Sequence, residues 1–131
     1  MVFMHPVAAR FRHNYQGFWY TFRWFILIFV IAQFCDALST CYFMGKIGWQ
    51  YEFHPLIRHA ARICGTIWGP MLSFAFKVVS GVAVAIYLRK YARVIFLATA
   101  TTASLAAFYN VWSTTTKNYF TVNDLLAIFG Y

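Results

Sequence analysis

Three stretches of the chain are almost uninterruptedly apolar: 24–44 (WFILIFVIAQFCDALSTCYFM), 65–88 (GTIWGPMLSFAFKVVSGVAVAIYL) and 94–112 (VIFLATATTASLAAFYNVW). A helix rising about 1.5 Å per residue needs about 20 residues to cross the hydrocarbon of a bilayer. The pattern therefore predicts three transmembrane helices. Shorter amphipathic segments flank them. Phe3, Val7, Phe11, Tyr15 and Phe18 recur at three- or four-residue steps with Arg10, Arg12 and His13 among them, which predicts an N-terminal interfacial helix over 3–18. Pro55 suits the first turn of a helix, and Arg58 and Arg62 stand one turn apart beyond it, so an amphipathic loop helix is expected over 55–63. Near the end, Thr121 precedes Asp124 by three residues, a capping-box spacing that opens a short surface helix over 121–129. The expected fold is an all-α membrane protein, with a single transmembrane domain over 1–131.

Composition strengthens this reading. Of the 131 residues 62% are hydrophobic and 22% aromatic, while only 11% are charged, and a water-soluble fold of this size has too few polar residues to cover so much apolar surface. The net charge of +8 suggests nucleic acid at first sight, but the cations sit at the ends of the apolar runs. That placement is topogenic: it points to anionic lipid as the partner and away from nucleic acid. Arg10, Arg12, Arg23, Arg89, Lys90 and Arg93 flank one side of the expected spans, and Lys46, Arg58, Arg62 and Lys117 the other. The positive-inside rule then predicts a cytoplasmic N-terminus, in a plasma or inner membrane. Cys35, Cys41 and Cys64 show no CxxC spacing and are read as small apolar fillers, a Cys41–Cys64 bridge being the alternative.

The chemistry of interest lies inside the spans. Asp36 is eight residues before the end of the first run, about 12 Å below that boundary, and Lys77 is twelve residues into the second, about 18 Å below the same side. An unpaired charge near the middle of a membrane helix costs roughly 3 kcal/mol on insertion scales. The two are therefore expected to pair. Gln33, Asp36 and Thr40 share a helix face, as do Ser73, Lys77 and Ser80, while Thr99, Ala103, Ala106 and Asn110 share a face of the third span. Glu52 and His54 belong to an aromatic-rich loop expected to fold back over the Asp36–Lys77 layer.

Several short motifs, DALST at 36–40, Gly45, EFHP at 52–55, GPMLSFAFK at 69–77 and YNVW at 109–112, occur together in order. In this the chain resembles a family of small bacterial and archaeal membrane proteins known only as a domain of unknown function. The resemblance covers roughly residues 25–113. It implies a three-helix membrane fold and singles out Asp36, Thr40, Glu52, Lys77 and Asn110, but supplies no activity. The family usually has Asn where His54 stands, so a pH dependence arising from this ring would not extend to relatives.

Two functional readings follow. In the first, the chain is a non-enzymatic accessory subunit of a larger membrane assembly, or self-associates, and the polar layer of Asp36, Thr40, Lys77 and Asn110 specifies packing. In the second, it is an oligomeric proton- or ion-coupled component, with Asp36 titrating, Lys77 tuning it, and Glu52 and His54 forming an outer gate. No cofactor is expected. Asp36, Glu52 and His54 make a weak metal signature, and no serine, threonine or cysteine has an evident base at helical spacing.

Overall fold

The computed structural model describes residues 6–52 and 54–117. Within these the chain forms α1 (Pro6–Tyr15), α2 (Phe18–Ile47), a 3-10 turn at Trp49–Tyr51, α3 (Pro55–Tyr87), a second 3-10 turn at Arg89–Tyr91 and α4 (Ala92–Thr116). The helix expected over 121–129 lies outside the described residues.

Helices α2, α3 and α4 are each long and apolar enough to cross a membrane. Helices α2 and α4 hold the expected spans and run past both ends of them, while α3 begins before its expected span and ends at Tyr87, one residue short of it. A backbone entering the headgroup region is still best satisfied by its own helical hydrogen bonds, and aromatic residues such as Trp19, Tyr20 and Trp24 extend the helix through that region. Outward-facing side chains, including Leu27, Ile31, Leu72, Phe76, Leu105 and Phe108, form the apolar exterior that such a bundle presents to lipid.

The expected break between loop helix and second span is real. Within α3, Gly65 adopts φ 92° and ψ 165°, which no helix contains and which residues with a side chain avoid, so α3 is two helical segments joined at a kink. The chain turns sharply there. The 55–64 segment folds back against the start of the span, so closely that a Cβ on Gly69 would lie 2.6 Å from the Ala61 backbone nitrogen. Ile57 and Ala61 of this segment pack on Phe43 and Met44 of α2, forming a small apolar cluster at the loop side of the molecule.

A larger cluster holds the opposite side. Phe18, Phe22 and Phe29 of α2 meet Ala85 and Ile86 of α3 and Ala92 and Phe96 of α4. Helix α1 has no buried residue, but polar bonds fasten it to this side. Asn14 Nδ2 donates to the Tyr87 carbonyl at 3.0 Å, and the Arg89 guanidinium donates to the Asn14 and Gln16 carbonyls at 2.9 and 2.7 Å. Those carbonyls end α1 without helical partners, and a cation there also complements the helix dipole. Arg10 lies over the Tyr87 ring at 4.7 Å.

Between the two clusters, α2 and α4 approach through Ala32, Ala100 and Ala103, all buried. Small residues let two backbones come close where no hydrophobic force separates protein from lipid. Helix α2 packs along α4 for much of its length and against α3 over less, whereas α3 and α4 touch little. The bundle is splayed, with α2 at the back and an opening between α3 and α4.

Candidate functional site

The splay leaves a cleft of about 800 Å³, walled by α2, α3 and α4 and covered on the loop side by Tyr51, Glu52, His54 and Ile57. Asp36, Thr40, Glu52, His54, Lys77 and Asn110 all line it. Residues far apart in sequence thus meet in one place.

Each is positioned by its element. Lys77 Nζ donates to Asp36 Oδ2 at 2.9 Å, joining α3 to α2. The Asp36 side chain is 9% exposed and that of Lys77 35%, so the carboxylate is enclosed while the ammonium reaches into the cleft. Asn110 Nδ2 joins α4 to α2, donating to Thr40 Oγ1 at 3.0 Å and Ser39 Oγ at 3.2 Å. Ser39 Oγ in turn donates to the Asp36 carbonyl at 2.9 Å, so the amide of α4 is linked to the turn that carries the carboxylate.

Glu52 is buried at the cover of the cleft, and its Oε1 accepts the His54 backbone N–H at 3.1 Å. Burial pushes its carboxyl above the ordinary glutamate range. The His54 backbone hydrogen bond opposes this, the nearby Asp36 charge adds to it, and the charges of His54 and Lys77 pull back down. The sign of the resulting pH effect follows. A carboxyl whose folded pKa is raised stabilises the fold below its unfolded value, about 4.3, and that contribution is lost as pH rises through the folded value. The thermal midpoint of the purified protein is expected to fall as pH is raised above that point, and Glu52→Gln to flatten the decline. Parallel wild-type and variant profiles would remove Glu52 as the cause.

The face expected on α4 is present in full, since Thr99, Ala103, Ala106 and Asn110 all line the cleft. On α3, Lys77 and Ser80 line it but Ser73 does not, and the Ser80 hydroxyl donates back to the Phe76 carbonyl of its own helix. Thr99 behaves likewise, donating to Ile95 at 2.6 Å. Cys35, Cys41 and Cys64 are all free thiols, so the alternative bridge is not formed. Among the described residues no group of three or more His, Cys, Asp or Glu side chains is placed to hold a metal ion.

Two further residues of α2 take part in the site. Ser39 lies three residues after Asp36, one turn along the same side of α2 and within the DALST stretch. Gln33 stands one turn before Asp36 on that face, and its position is the signal that nominates it. It is 7% exposed, lines the cleft, and donates through Nε2 to the Thr99 carbonyl at 3.4 Å. Its Oε1 has no hydrogen-bond partner among the described residues. An unmet buried acceptor costs about 1–3 kcal/mol.

Fold and cleft together make a small helical protein whose three long apolar helices suit a membrane and enclose a cleft lined in part by polar groups. No protein-family model, no curated protein and no solved structure matches the chain.

Proposed function

We propose that the protein is a non-enzymatic structural or accessory subunit of a larger membrane assembly or homo-oligomer, in a plasma or inner membrane with α1 on the cytoplasmic side. One observation carries this reading: four side-chain hydrogen bonds inside the bundle each join one of its helices to another. Lys77 bonds Asp36, Asn110 bonds Ser39 and Thr40, and Gln33 bonds the α4 backbone. Paired in this way, intramembrane polar groups set which helices meet and at what register. The motifs behind the family resemblance support a common role, since Asp36, Thr40, Glu52, Lys77 and Asn110 all line the same cleft.

The test is extraction from the native membrane in mild detergent, followed by measurement of particle mass and composition. Fixed stoichiometry with other subunits is the expected result, whereas a closed homo-oligomer would favour the ion-coupled reading. Recovery as a monomer at every protein concentration would reject the proposal.

A second reading has its own observation. Glu52 is buried with a raised pKa in the same cleft as Asp36 and Lys77, which places a readily protonated carboxyl at the cover of an intramembrane ion pair. On this reading an oligomer moves protons or ions through Asp36. Vesicles reconstituted with the protein would then show a proton flux that Asp36→Asn abolishes while the variant still folds. An unchanged flux would dismiss it.

A further inference from the structure

We infer that the cleft is a binding site for one membrane phospholipid whose headgroup carries a primary ammonium, entering sideways between α3 and α4. This inference stands independently of the accessory and ion-coupled readings.

The first support is where the cleft opens. Because α3 and α4 touch little while α2 packs on both, the gap between them opens sideways, between two helices long and apolar enough to span a membrane. The loop side is covered by Tyr51, Glu52, His54 and Ile57, and Phe29, a member of the larger apolar cluster, lines the other end. Its volume of about 800 Å³ has room for a lipid chain and part of a headgroup. A lateral opening in hydrocarbon is filled by what surrounds it, and lipid surrounds this one.

The second support is the order of polarity within it. The ionisable groups Glu52, His54, Asp36 and Lys77 lie toward the loop side. Phe29 and Val84 each stand seven residues, about 10 Å, further from that side along their helices than Asp36 and Lys77. A phospholipid of the loop-side leaflet has this same order, headgroup outward and chain inward.

The third support is the chemistry of the unspent groups. Among the described residues only one oxygen of Asp36 accepts from Lys77 and only one of Glu52 accepts from His54, so acceptors are in surplus there. Charge points the same way. Lys77 balances Asp36, whereas Glu52 has no such ion-pair partner among the described residues. A primary ammonium supplies the missing cation and several N–H donors at once. Lys77, which spends one N–H on Asp36 and is 35% exposed, has donors left for the phosphate that adjoins such an ammonium. A quaternary ammonium has no N–H to offer, and a glycerol headgroup has no cation.

The experiment reconstitutes the full chain in nanodiscs of equal parts phosphatidylethanolamine, phosphatidylcholine and phosphatidylglycerol with matched acyl chains. Native mass spectrometry of the released protein then identifies retained lipid. One phosphatidylethanolamine per chain is expected, enriched about tenfold over phosphatidylcholine, the factor that a charge-assisted hydrogen bond is worth. Glu52→Gln, which leaves the Asp36–Lys77 pair in place, is expected to lose most of that preference. Ala106→Phe, which fills the cleft from α4, is expected to lose the bound lipid. Helical content and a monodisperse elution profile establish that both variants fold. Equal retention of all three lipids, enrichment of phosphatidylglycerol, or no lipid on folded wild-type protein would each overturn the inference. So would a dimer that Ala106→Phe dissociates, because the cleft would then be occupied by a second copy.

Discussion

Asp36→Asn and Lys77→Met, made singly, are each expected to cost about 3 kcal/mol of stability, and the double variant to recover to within about 1 kcal/mol of wild type. Each single change strands the other charge inside the membrane, 2.9 Å from where its partner was. The double change strands neither. The pair is worth little against two neutral residues of similar volume, because bringing both charges out of water costs nearly what their attraction returns. Its value is conditional, since α2 and α3 are tolerated in the membrane with these residues only when assembled together. A double-mutant cycle on unfolding in detergent or bicelles measures the coupling directly. Additive single effects would show that the two side chains act independently and that the ion pair does not hold α3 to α2. If Asp36 also titrates for function, the double variant folds and is inactive, which separates stability from activity in one protein.

Much of this site is legible in the sequence because membrane helices constrain what a residue pattern can mean. Depth can be counted along a span, so counting alone matches Asp36 with Lys77, and the folded chain joins them. Helical periodicity does the same for Asn110 and Thr40. The folding back of the loop follows from its aromatic content and brings Glu52 and His54 to the same cleft.

Other features depend on contacts that periodicity does not encode. Arg89 reads as one more topogenic cation, yet its guanidinium caps the end of α1, a role set by where two distant segments meet. The onset of apolar residues marks the break at Gly65, but the tightness of the turn comes from Gly69 against Ala61, eight residues away. Least legible is the cleft. Three amphipathic faces can close on one another equally or unequally, and only the observed packing shows that α4 has taken α2 while α3 stands apart.

That asymmetry rests on the alanine seam, which makes Ala100→Leu the most informative packing change. Ala100 is 5% exposed and packs with Ala32 and Ala103 in the buried cluster between α2 and α4. Three added carbons have no void to enter, so they force the helices apart or drive neighbours off rotamer, at about 1–3 kcal/mol. The Asn110 bonds to Ser39 and Thr40 lie further along the same interface, at 3.2 and 3.0 Å, and a separation of about 1 Å would stretch both beyond useful length. The combined loss is expected near the upper end of that range, read as a lower midpoint on unfolding in detergent. Leu105→Ala, on the same helix but 64% exposed toward lipid, is expected to change stability by less than about 0.5 kcal/mol. If Ala100→Leu were equally silent, α2 and α4 would not be held at close approach. The cleft would then belong to a bundle that can redistribute its gap, closing between α3 and α4 while opening elsewhere.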